Sequence, residues 1–113
     1  MVKTSNSACR RYVEKCLPFL GSNLSAVWIA QRYIVYSYGP HWPLFIYEQV
    51  TDTWYANRDK YSQSTSRHYS QANPSTYDPQ IKLVPLSTRD MAVVADAGSV
   101  GLIEAANARL ETV

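Results

Sequence analysis

The chain has 113 residues, 46% of them hydrophobic and 18% charged, a size and composition that fit one packed domain and argue against a disordered tail. Eleven basic against nine acidic residues leave a net charge of +2. That excludes an acidic nucleic-acid mimic and does not by itself point to a phosphate-rich partner, whose binders carry clustered basic residues.

Cys9, Tyr12, Val13, Cys16, Leu17 and Leu20 recur at helical spacing, with Arg10, Arg11, Glu14 and Lys15 opposite them. The pattern predicts an N-terminal helix capped by Ser5 or Ser7 and stopped near Leu17 by Pro18. Cysteines seven positions apart on one helix have Cα atoms about 10 Å apart, beyond the ~7 Å reach of a disulfide. They are expected to be reduced, buried and apolar in role, and two sulfurs make no zinc site. From Ala26 to Asn57 β-branched and aromatic residues take over. Four strands are predicted there, Ala26–Ala30, Tyr33–Tyr38, Leu44–Gln49 and Thr53–Asn57, with links short enough for antiparallel hairpins.

Residues 57–79 are polar, rich in Ser, Tyr, Gln and Asn. Ser64 or Thr65 is read as the cap of a short helix running to Ala72 and stopped by Asn73-Pro74, after which Pro74 to Pro79 form a loop. Gln80–Val84 reads as a fifth, edge strand closed by Pro85. Ser87-Thr88-Arg89-Asp90 resembles a capping box before Met91, Val93 and Val94. Gly98 ends that helix, and Ser99 caps a last one carrying Leu102, Ile103, Ala106 and Leu110 on one stripe. The expected fold is a single α+β domain over 1–113, with a small antiparallel sheet of three to five strands. An N-terminal helix and one or two C-terminal helices flank it.

No nucleotide loop, zinc helix or nucleophile elbow is present, and two histidines, His41 and His68, do not make a multi-histidine metal site. No cofactor, metal or catalytic residue is expected. The stretch Asn57 to Gln71 concentrates guanidinium, ammonium, imidazole, phenol, hydroxyl and amide groups with almost nothing aliphatic to bury. A helix starting at Thr65 would present Arg67, His68 and Gln71 near its positive end, which suits an anion. The candidate binding residues are Lys60, Tyr61, Thr65, Ser66, Arg67, His68 and Gln71. Trp42, beside His41 between two prolines at a hairpin tip, is added as an aromatic anchor. If Arg67 and His68 are surface residues, replacing both by alanine leaves folding within about 1 kcal/mol.

Tyr36-Ser37-Tyr38-Gly39, Pro43-Leu44-Phe45-Ile46-Tyr47-Glu48, Trp54, Asn57, Asp59-Lys60-Tyr61-Ser62, Thr65-Ser66-Arg67-His68, Gln71 and Pro74 form a recognisable pattern. It resembles a family of small proteins encoded by bacteriophages and related mobile elements. The match covers about residues 33–74, with a weaker echo from Met91 to Leu102, and residues 1–24 lie outside it. The resemblance implies a shared fold and a context, a phage accessory protein in the bacterial host cytoplasm, and carries no functional residue across.

The expected function is therefore a non-enzymatic interaction module that binds a host protein, such as a defence or regulatory factor. One alternative is weak nucleic-acid binding, with tyrosines stacking bases and Arg58, Lys60 and Arg67 on phosphates. The other is a small hydrolase or nuclease with His68 as acid/base. No segment approaches the ~20 apolar residues of a membrane span, and Lys3 to Asn6 are polar where a signal peptide would be apolar. No membrane partner is expected, and homo-oligomerisation stays open.

Overall fold

The computed structural model describes residues 1–59 and 62–111. Its elements in chain order are β1 (Val2–Lys3), α1 (Arg10–Glu14), β2 (Phe19–Leu20), β3 (Leu24–Ile29), β4 (Arg32–Ser37), β5 (Pro43–Glu48) and β6 (Thr53–Asn57). There follow α2 (Gln63–Ala72), β7 (Leu83–Leu86), α3 (Thr88–Ala97) and α4 (Ser99–Glu111). The strands lie side by side in sequence order in one seven-stranded sheet. β2 to β6 form an antiparallel meander, while β1 pairs with β2 and β6 with β7 in parallel. This corrects the expected three- to five-stranded antiparallel sheet. Parallel neighbours need a crossover, and α1 and α2 supply it at the two ends.

Strand alternation sorts the residues onto two faces. Ala26, Tyr33, Val35, Phe45, Trp54 and Ala56 pack with Cys9 and Val13 beside α1 and with Ala72 of α2. Ile34, Ile46 and Tyr55 face the other way, onto Met91 and Val94 of α3. The sheet is thus covered on both sides, by α1 and α2 on one face and by α3 on the other. α3 reaches β5, β6 and β7.

The N-terminal helix is shorter than its apolar stripe suggests. Cys16 has φ 52°, with its N–H on the Val13 carbonyl at 3.0 Å and the Leu17 N–H on the Tyr12 carbonyl at 2.8 Å. That pair of bonds is a Schellman stop with cysteine at the left-handed position glycine usually fills. The two cysteines therefore do not share a helix, and Phe19, not Leu17 or Leu20, enters the core; the latter two are 44% and 47% exposed. Cys9 is buried and Cys16 half-buried, both as free thiols.

β7 is also displaced from its expected position and holds Pro85 inside it. The Arg58 N–H donates to the Leu86 carbonyl, so in this register Val84 and Leu86 point their peptide groups at β6 and Pro85 points outward. Proline's missing donor therefore falls on the open side of the sheet, where no ladder bond is lost.

Candidate functional site

α2 is fixed by its own first turn and by its inward side chains. Ser62 caps it, its Oγ accepting the Thr65 N–H at 3.2 Å. Thr65, His68 and Ala72 turn inward at helical spacing, and Tyr69 lays its ring 4.8 Å from Phe45. Arg10 donates to the Ser70 carbonyl and stands over the Tyr77 ring, tying the first helix to the second.

Between α2 and the ends of β6 and β7 lies a cleft of about 400 Å³. Leu44, Ala56, Leu83 and Pro85 form an apolar floor, Thr65 and Tyr69 a wall, and Arg58, Asp59, Ser66 and Ser70 the mouth. It sits at the carboxyl end of a parallel pair beside the start of the crossover helix, where open α/β sheets hold ligands. The mouth is built by Asn57, which is 2% exposed. Its Nδ2 donates to the Pro43 carbonyl and to Thr88 Oγ1, both at 3.0 Å, and its Oδ1 accepts the Asp59 N–H at 2.8 Å. Asp59 in turn accepts the Thr88 N–H at 2.7 Å. The Thr88 N–H and hydroxyl hold the Asp59 carboxyl below its ordinary value, and Arg58 is the cation presented at the rim.

The sequence-derived candidates divide. Thr65 and Ser66 line the cleft. Arg67 is exposed and does not line it. His68, expected at the surface, is 4% exposed, and its Nδ1 is 2.7 Å from Ser37 Oγ on β4. Its ring lies 5.0 Å from that of Tyr38. Burial, and next the neighbouring Arg67, hold its pKa below the ordinary value, so it is a neutral ring that locks α2 to the sheet. Gln71 is half-buried, and its Oε1 is buried without a hydrogen-bond partner among the described residues. Trp42 is half-buried against the core and does not stand out at the hairpin tip. Lys60 and Tyr61 lie outside the described residues.

Leu44, Ala56, Tyr69, Leu83 and Pro85 are not legible as a group in the sequence, because it is the parallel β6–α2–β7 unit that brings the last four together against Leu44 of β5. Among the described residues no group of three or more His, Cys, Asp or Glu is placed to hold a metal ion, and no helix is long and apolar enough to cross a membrane. Comparison with protein-family models, with curated proteins and with solved structures finds no match to this chain.

Proposed function

We propose that this protein is a non-enzymatic interaction module whose cleft receives a segment of a partner protein. The observation that carries the reading is the cleft itself, an apolar floor under a rim where, among the described residues, Arg58 and Asp59 stand with two serine hydroxyls. Its volume falls in the range of ordinary binding pockets, roughly 300–1,000 Å³. An aliphatic side chain of the partner fills the floor, and an acidic or carbonyl group beside it meets Arg58. The resemblance to phage and mobile-element proteins supports a setting in the bacterial cytoplasm and a host protein as the partner.

Two features favour this reading over the alternatives. His68, the acid/base of the hydrolase reading, is enclosed and bonded to Ser37. Of the sheet tyrosines that base stacking would need in the open, Tyr33 and Tyr55 are buried in the core and Tyr36 and Tyr47 are half-buried. The test is capture of host proteins by the wild type and by Ser70→Trp, a change at an exposed rim position that fills the cleft. Arg58→Ala serves as a second variant. A partner retained by the wild type and lost from both, with unchanged melting, supports the reading. A partner held equally by all three overturns it.

A further inference from the structure

α4 is apolar on two opposite sides. Gly101, Leu102 and Ala105 turn toward the protein. Gly101 sits so close to α3 that a Cβ there would lie 2.9 Å from Ala97 Cβ and from Val93 Cγ1. At 100° per residue, Val100, Ile103, Asn107 and Leu110 fall on the other side of the helix. They are exposed, the three aliphatics by 55%, 61% and 73%. A surface helix ordinarily has one apolar stripe and a polar outer face, so this outer stripe requires its own explanation.

Its spacing supplies one. Steps of three, four and three residues are the a, d, a, d positions of a coiled-coil seam, and the second a position holds asparagine. An asparagine at a single a position selects parallel, in-register pairing, because its amide is satisfied only by the same residue of the other helix. We propose that α4 pairs with α4 of a second copy of this chain, in parallel about a two-fold axis, through Val100, Ile103, Asn107 and Leu110. A two-fold contact is self-complementary, as one repeated stripe requires.

The area sets the strength. The three aliphatics leave about 350 Å² open on each copy, so the seam covers about 700 Å² in all, the size of a weak, transient interface. The dimer is therefore one that forms as concentration rises. It is independent of the cleft, which lies on the opposite face of the sheet.

Sedimentation of the full chain from about 10 μM to about 1 mM tests it. The expected result is a monomer-to-dimer shift that Ile103→Glu and Leu110→Glu each abolish while the far-ultraviolet spectrum stays unchanged. Asn107→Leu should tighten association at least tenfold and broaden the oligomer distribution. Asn107→Cys should give a covalent dimer under mild oxidation that the wild type, with its native cysteines, does not. A wild type that stays monomeric at about 1 mM overturns the proposal. So does a dimer that survives both glutamate substitutions, or one abolished instead by Ile29→Glu on the uncovered side of β3. Failure of Asn107→Cys to cross-link a dimer that is otherwise sensitive to Ile103→Glu overturns the parallel register.

Discussion

Replacing His68 by alanine is expected to destabilise the protein by about 3 kcal/mol, against less than about 0.5 kcal/mol for Arg67→Ala next to it. The figure follows from the geometry. The bond to Ser37 is 2.7 Å long between groups that are 4% and 1% exposed, and such a bond contributes about 1 kcal/mol net. Its loss strands the Ser37 hydroxyl in the interior, at a further cost of about 1–3 kcal/mol. For a domain of this size, 3 kcal/mol lowers Tm by on the order of 10 °C. The earlier expectation that Arg67 and His68 can be removed together at little cost is thereby replaced, with nearly all the loss assigned to His68.

The same residue fixes a pH dependence whose sign can be worked out. The His68 pKa is lowered by burial and then by Arg67, so on acidification the unfolded chain takes up this proton before the folded one. Stability is complete above about pH 6.5 and falls as pH drops toward the folded value, by at most about 1.4 kcal/mol per pH unit. Urea unfolding followed by tryptophan fluorescence between pH 7.5 and 5 should show that slope in the wild type and not in His68→Gln. Carboxylate effects belong to lower pH and cancel in the difference. A His68→Ala protein that melts within about 2 °C of wild type, or identical pH profiles for wild type and His68→Gln, would refute the reasoning.

Three other outcomes are expected. Ala30 and Gln31 form the two-residue β3–β4 turn with φ 47° and 67°, a mirror-image turn suited to Asn-Gly. Ala30→Asn with Gln31→Gly should therefore stabilise by about 1 kcal/mol in thermal melting. Gly98, at φ 73° with Glu48 Oε2 only 2.5 Å from where a Cβ would stand, should not tolerate alanine. The loss should be about 2–3 kcal/mol by urea titration, because the Glu48 carboxylate that receives the Ser99 N–H would be displaced. Burial raises both cysteine thiols to about 11. Native labelling at pH 8 should be slow for Cys16 and slower still for the enclosed Cys9, and labelling of Cys9 at a free-thiol rate would contradict this.

The meander was legible because period-two patterning is local. Each of the four strands predicted over residues 26–57 falls within two positions of its place in the structure. The Ser87 cap of α3, accepting the Asp90 N–H, and the stop at Gly98 were legible for the same reason. What escaped depends on contacts between distant segments. Two residues cannot show alternation, so β1 and β2 left no pattern, and Leu20 of β2 joined a helical stripe whose helix in fact ends at Glu14. β7 was placed too early because its pairing with β6 decides where it begins. In the polar middle, composition located the region of the cleft but misjudged depth. His68 looks like a surface residue until Ser37, a strand away, is seen to hold it.

The parallel pairings at the two ends of the sheet also order the assembly of the molecule. The hairpins of the meander close over a few residues, whereas Trp54 meets Leu83 only after the whole crossover has been traversed. Long closures cost more chain entropy and come late on the way to the folded state. The β6–β7 pairing is therefore expected to form late, and its amide protons should exchange with solvent faster than those of β4 and β5. Apart from Leu44 of β5, the walls and floor of the cleft belong to the β6–α2–β7 unit. A partner that fills the cleft would hold that seam closed, so its affinity and the protection of β6 and β7 should rise together.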